Sequence, residues 1–173
     1  MSLRLILMRH AKSDWNAPAG SDFDRPLNRR GCRDAPAIGR WLAGHGHIPR
    51  LVLCSAARRS RDTCALVLEA MQAAPELRHC ERLYLASAEA MFRTLAQLGC
   101  RSPVMMVAHN PGTAILARAL AERTPPHPRF DDFPTAATAV LEFALPGWAE
   151  LAAGSGQVID FAIPRELHAG RSG

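Results

Sequence analysis

The chain has 173 residues, of which 48% are hydrophobic, and it carries a formal net charge of +5. This length suits one domain with its own buried core. The basic residues are spread along the chain, which favours small anionic ligands over nucleic acid. The five cysteines form no CxxC pair and have no regular spacing, which argues against a disulfide framework and a zinc site.

The distribution of apolar residues predicts neither a membrane span nor an export signal. No apolar stretch approaches the length of a transmembrane helix, and the six-residue apolar run near the start is too short for the core of a signal peptide. We therefore expect a cytoplasmic protein that uses no membrane anchor, does not bind nucleic acid and is a monomer.

The first predicted element is a strand over residues 3–8, and it ends at Arg9 and His10. A short apolar run bounded by polar residues is typical of a buried strand. Residues 11–27 are rich in Asp, Gly, Pro and Ser, which predicts a long loop over the carboxyl end of that strand. Arg9 and His10 should therefore lie beneath this loop, at an edge of a sheet where ligands usually bind.

The next two elements are a helix over residues 28–43 and a buried strand over residues 51–54. Asn28 can cap the helix, because its side chain can accept from free main-chain N–H groups. The strand leads into a polar segment that contains Ser55 and Arg59 and begins a second helix, which ends near residue 73.

The middle of the chain repeats the same alternation of strand and helix. Residues 79–85 can form a short strand, and residues 87–98 a helix. A strongly apolar strand follows over residues 104–108 and ends at His109, before a helix over residues 113–123.

The last predicted elements are strands over residues 139–145 and 157–163, joined by an antiparallel connection. Together the elements predict an α/β fold with three layers, α/β/α, and a mostly parallel central sheet with an antiparallel edge strand. We expect a single domain over residues 1–165 and a flexible tail over 166–173.

Polar side chains converge at the carboxyl ends of three predicted strands. These are Arg9 and His10, then Ser55 and Arg59, then His109. Planar guanidinium groups match phosphate oxygens, and an imidazole can attack phosphorus. The residues alone thus predict a site for a phosphoryl group, and the lack of a carboxylate cluster argues against a divalent metal.

The segments around these residues resemble the histidine phosphatase superfamily, which has a phosphoglycerate mutase-like fold. The resemblance rests on residues 7–11, on Arg59 within residues 55–63, and on residues 108–110. Residues 9–15 and 24–31 further resemble the small bacterial phosphohistidine phosphatases of SixA type. The resemblance to the family extends from residue 3 to about residue 145.

This resemblance implies that His10 attacks the phosphoryl group and becomes a transient phosphohistidine, which water then hydrolyses. Arg9, Arg59 and His109 would be catalytic with it and would bind the phosphate, without a metal or another cofactor. Arg58 and Arg61 compete with Arg59 for this task on sequence grounds, and the family match favours Arg59.

One position departs from the family pattern. Many members carry a glutamate as general acid for the leaving group, and this chain has Leu85 near the expected position. The nearest carboxylates, Glu81 and Glu89, are the candidates for that acid. A protonated phosphohistidine leaves as neutral imidazole and needs less help than an alkoxide, so the departure favours phosphohistidine over sugar phosphates.

The predicted partner is therefore a phosphorylated protein that carries phosphohistidine, or else a small phosphate ester. Two other functions stay open at this point. One is a general small-molecule phosphomonoesterase, and the other is a phosphate-recognising module without catalysis.

Overall fold

The computed structural model describes residues 2–170, whose strands form one mixed sheet. The strands are β1 (Leu3–Arg9), β2 (Leu51–Ser55), β3 (Glu76–Cys80), β4 (Val104–Ala108), β5 (Thr138–Phe143) and β6 (Gly156–Ala162). Their order across the sheet is β3-β2-β4-β1-β5-β6. The first four are mutually parallel, whereas β5 runs antiparallel to β1, and β6 runs antiparallel to β5.

Helices cover both faces of this sheet, which confirms the predicted three-layer α/β/α architecture. They are α1 (Arg29–Gly44), α2 (Arg58–Met71), α3 (Ala88–Ala96), α4 (Gly112–Leu120) and α5 (Pro164–Ala169). Helices α1, α2 and α5 pack on one face, and α3 and α4 on the other. Within residues 2–170, no helix combines the length and the hydropathy needed to span a bilayer.

The two helical layers explain why β1 is apolar at nearly every position. Successive side chains of a strand point to opposite faces, so Leu5 and Leu7 enter the core under α3 and α4, while Ile6 and Met8 face α1 and α2. All four side chains are fully buried. Each contributes about 1.5–3 kcal/mol relative to an exposed side chain, which fixes the register of the strand that delivers His10.

Two elements differ from the sequence predictions. The third strand lies at Glu76–Cys80 rather than over residues 79–85. The predicted position was wrong because this is a mostly exposed edge strand, whose sequence carries no apolar pattern. The predicted flexible tail over 166–173 contains, in its described part, most of helix α5. This helix packs on α1, and His168 Nε2 lies 2.9 Å from Asp34 Oδ1; residues 171–173 lie outside the described residues.

The loop between β1 and α1 folds back over the carboxyl end of β1, as predicted. Main-chain hydrogen bonds close it, from Asp14 N to Pro26 O at 2.9 Å and from Asn28 N to Lys12 O at 3.0 Å. The Asn28 side chain caps α1 by accepting from Gly31 N at 2.9 Å. The loop is thereby fixed above the strand end rather than left free in solvent.

Gly31 is required where α1 meets this loop. A Cβ at this position would lie 2.2 Å from the carbonyl oxygen of Lys12, whereas a Cβ at Gly44, in the same helix, would meet nothing within 4 Å. We expect Gly31→Ala to lower the free energy of unfolding by about 1–3 kcal/mol. Gly44→Ala, the matched control, should be neutral or raise it by up to about 1 kcal/mol. Urea unfolding of both variants checks this, and equal stabilities would contradict the close approach.

Candidate active site

A cavity of about 290 Å³ opens where β1, β2 and β4 end beneath the loop. Its lining includes four cationic side chains, which are Arg9, Lys12, Arg25 and Arg59. His10 and His109 also line it, and Asp22 is the carboxylate in the lining. In residues 2–170, no group of three or more His, Cys, Asp or Glu side chains is arranged to hold a metal ion. The donors that surround this space suit an anion.

His10 is held in one tautomer by its own main chain. Its Nδ1 lies 2.7 Å from the carbonyl oxygen of Ala11, and since a carbonyl only accepts, Nδ1 carries the proton. Burial lowers the pKa of His10 to about 3, and the charges of Arg59 and Arg9 act in the same direction. The ring is therefore neutral at pH 7, with an unprotonated Nε2 that has the lone pair of a nucleophile.

His109 is a second neutral imidazole, and its ring centroid lies 5.0 Å from that of His10. Arg59 Nη2 donates to Nδ1 at 3.4 Å, because a guanidinium can only donate. Nε2 therefore carries the proton and donates to Ser55 Oγ at 2.7 Å. Burial, followed by the charge of Arg59, lowers the pKa of His109 to about 4.

Arg59 lies in the first turn of α2 and is only 2% exposed. Nη1 donates to the main-chain oxygen of Asp22 at 2.7 Å, and Nη2 to Asp22 Oδ2 at 3.1 Å. Arg58, its neighbour, is half-exposed and pairs instead with Asp62 at 3.7 Å. Arg61 is exposed and does not line the cavity. Of the three arginines weighed from the sequence, the fold thus brings Arg59 to the strand ends.

Asp22 is a charged residue of this site that the sequence did not single out, as are Lys12 and Arg25. Its carboxylate accepts from Tyr84 Oη at 2.6 Å and from Arg25 Nε at 3.0 Å, besides Arg59. These bonds, that from Tyr84 first, lower the pKa of Asp22 to about 2. The carboxylate is therefore ionised at neutral pH and holds two arginines of the cavity wall in place. Its only sequence signal was the position in the long loop, three residues before Arg25.

Arg9 completes the wall on the side of β1. Its Nη1 donates to the carbonyl oxygen of Phe133 at 3.2 Å, an oxygen that also accepts from Asn110 Nδ2 at 3.0 Å. Burial lowers the pKa of Arg9, and its Nε and that of Arg59 are buried without a hydrogen-bond partner in residues 2–170. Buried donors of this kind gain from an oxyanion that accepts from them.

Neither glutamate considered as a general acid lines the cavity. Glu81 is exposed in a 3-10 turn, and Glu89, 77% exposed at its side chain, pairs with Arg93 one turn along α3. Leu85 does line the cavity, and it has a left-handed backbone with φ of 48°. A leucine, near the position expected for the acid, therefore lines the cavity.

Comparison with known proteins places this geometry in a family. Residues 5–84 match the model of the histidine phosphatase superfamily, branch 1. A Mycobacterium tuberculosis protein of uncharacterized function is 36% identical over 171 residues, which cover 91% of this chain and 100% of the relative. The chain belongs to the histidine phosphatase superfamily.

Two solved histidine phosphatase structures have the same fold over nearly the whole chain. One, from Nakamurella multipartitia, is assigned as the phosphohistidine phosphatase SixA; it has a TM-score of 0.78 at 29% identity and covers 95% of this chain and 97% of its own. The other carries the same assignment in Agrobacterium tumefaciens, with a TM-score of 0.76 at 29% identity, and covers 94% and 98%. Family and fold together support a phosphatase hydrolase.

Burial of two neutral histidines makes the stability of this histidine phosphatase depend on pH. The folded-state pKa values of His10 and His109, about 3 and about 4, lie below the ordinary value of 6.5, so between these limits the unfolded chain binds more protons. What the two histidines contribute to the free energy of unfolding is fully present above pH 6.5. It falls as the pH drops towards 4, by up to about 1.4 kcal/mol per pH unit for each histidine. Asp22 acts in the same direction at still lower pH.

Urea unfolding at pH 7.5 and pH 5.0 checks this expectation. The free energy of unfolding should be lower at pH 5.0, and the difference should shrink in His109→Gln, which removes one titrating ring. Equal stabilities at the two pH values, or an unchanged difference in the variant, would contradict the burial of neutral imidazoles.

Proposed function

We propose that this protein is a metal-independent phosphatase that uses His10 as its nucleophile, and that its substrate is phosphohistidine in a protein. One observation carries the proposal. The unprotonated Nε2 of His10 shares a small cavity with the guanidinium groups of Arg9 and Arg59. A nucleophile and preorganised cations are the two components that phosphoryl transfer needs.

In the first step, the lone pair of His10 Nε2 forms a bond to phosphorus as the bond from phosphorus to the substrate nitrogen breaks. Arg9 and Arg59 stabilise the negative charge on the equatorial oxygens. The hydrogen bond from Nδ1 to the Ala11 carbonyl, 2.7 Å long, orients the ring and stabilises the positive charge that grows on it.

In the second step, a water molecule attacks phosphorus, and the bond between phosphorus and Nε2 breaks. The electron pair returns to Nε2, and inorganic phosphate leaves as H2PO4−, which carries the oxygen and both protons of the water. The sum of both steps is the hydrolysis of a phosphorus–nitrogen bond, with His10 regenerated in its starting tautomer.

The supply of protons favours a phosphohistidine substrate. Asp22, the lining carboxylate, has a pKa of about 2 and holds no proton at pH 7, and neither Glu81 nor Glu89 lines the cavity. An alkoxide leaving group would need a proton from a general acid in the transition state. A phosphohistidine that is already protonated on its ring departs as neutral imidazole and does not depend on such an acid.

The test compares leaving groups at one active site, with a chelator present. Turnover is measured on free phosphohistidine, on a phosphohistidine protein, on an aryl phosphate and on an alkyl phosphate. We expect kcat/KM to be at least about 10²-fold higher for both phosphohistidine substrates than for the alkyl phosphate. The value for the aryl phosphate should lie between that of the phosphohistidines and that of the alkyl phosphate. Equal rates for the alkyl phosphate would instead indicate a general phosphomonoesterase.

A further inference from the structure

A second cavity, of about 410 Å³, lies beside the proposed catalytic one and is rich in arginine. Its basic lining residues are Arg30, Arg33, Arg129, Arg165 and His168. We call this space the arginine cavity. None of these residues has a part in the chemistry proposed above.

The arginine cavity has more positive charge than its own carboxylate can neutralise. Asp34, buried with 6% of its side chain exposed, lies within 3.6 Å of Arg30 Nε and 3.3 Å of Arg33 Nη2. The same carboxylate pairs with His168 at 2.9 Å. Arg129 pairs with Asp132 at 2.8 Å, outside the lining. Within the described part of the chain, Asp34 is thus the one carboxylate of the lining, where Arg30 and Arg33 pair with it and Arg165 has no carboxylate partner.

These guanidinium groups lie at a surface rather than in a closed pocket. The side chains of Arg30 and Arg33 are 55% and 64% exposed, and Arg165 is exposed as well. Ile163 and Pro164 form an apolar part of the wall. Exposed cations around a partly apolar depression suit carboxylates on a partner's surface better than a small ligand that must be enclosed.

One residue connects the two cavities. Thr135 lines both, and its Oγ1 accepts from Arg30 Nη2 at 3.1 Å. The following residue, Ala136, donates its main-chain N–H to the carbonyl oxygen of His10 at 3.1 Å. A molecule with its phosphoryl group at His10 can therefore continue over Thr135 into the arginine cavity, provided that it is larger than a single amino acid.

We propose that the arginine cavity binds an acidic segment of the phosphoprotein substrate, next to the phosphohistidine that enters the catalytic cavity. This proposal rests on the proposed function. The cavity would act on affinity alone, because its arginines do not line the cavity that holds His10. It would select phosphohistidines that have Asp or Glu side chains nearby.

The probes are two phosphohistidine peptides of equal length, one rich in Asp and Glu and one rich in Ser and Gly, together with free phosphohistidine. For the wild type we expect KM to be about tenfold lower for the acidic peptide than for the neutral one, and rising salt should reduce this preference. Arg33→Gln/Arg165→Gln should lose the preference and keep the wild-type kcat/KM on free phosphohistidine.

The matched control is Arg93→Gln/Arg118→Gln, which removes the same charge from exposed positions outside both cavities and should keep the preference. A preference that survives in Arg33→Gln/Arg165→Gln would overturn the proposal, and so would an equal loss on free phosphohistidine. A wild type that hydrolyses neither free phosphohistidine nor the peptides would overturn the proposed function itself, and this inference with it.

Discussion

Replacing His10 by alanine should lower the turnover of phosphohistidine by at least about 10⁴-fold, because the proposed mechanism has no other group that can form the covalent intermediate. His109, the neighbouring imidazole, does not replace it, since its two ring nitrogens already bond to Arg59 and Ser55. Water would then have to attack the substrate directly, with help only from the cations of the cavity. Steady-state kinetics on free phosphohistidine measures the loss.

Two further variants separate chemistry from folding. His10→Asn keeps a polar group at the site and should be as inactive as the alanine variant. His79→Ala removes an exposed imidazole from β3 that does not line the cavity, and should keep wild-type rates. In the wild type, label from a phosphorylated substrate should be found on His10 after an alkaline workup. A folded His10→Ala protein that retains turnover would contradict the nucleophile.

Replacing Arg59 by lysine should lower kcat/KM by about 10²–10³-fold, although the positive charge is kept. A lysine ammonium is a single point charge and lacks the planar fork that matches two phosphate oxygens. It would also lose the paired bonds to the Asp22 carbonyl and carboxylate, 2.7 and 3.1 Å long in the native site. The loss matches the removal of one preorganised donor from a developing oxyanion.

Neighbours in the same helix provide the controls for Arg59. Arg58→Lys and Arg61→Lys make the same chemical change at exposed positions, and both should stay within about threefold of the wild type. Urea unfolding of all three variants shows how far lost stability contributes. A comparable loss of kcat/KM in Arg58→Lys or Arg61→Lys would contradict a role confined to the Arg59 guanidinium. An undiminished kcat/KM in Arg59→Lys would mean that positive charge alone is sufficient.

The buried part of the fold could be predicted from the sequence because burial leaves a pattern. Strands β1, β2 and β4 are covered on both faces, so each is a short apolar run with a polar residue at its end. Strand β3 is an exposed edge strand with Arg78 and His79 in it, so its predicted position was displaced by a few residues. Helix α5 has only six residues, and its packing on α1 stabilises it more than its own propensity does.

The sequence predicted those residues of the candidate site that lie at the ends of strands. Arg9, His10 and His109 each lie at the end of an apolar run, and the parallel sheet brings them together. Asp22 and Tyr84 meet across 62 positions of sequence through one hydrogen bond between two loops. No local pattern encodes such a contact, because it depends on how both loops settle on the finished sheet.

Lys12 allows this cavity to be labelled selectively. The sequence contains a single lysine, and it lines the cavity together with His10. An amine-directed acylating reagent can therefore attach one side-chain reporter beside the catalytic space without any engineered residue. A fluorophore placed there would follow the arrival and departure of phosphate directly, and protection of Lys12 from the reagent would measure occupancy of the cavity in the unmodified protein.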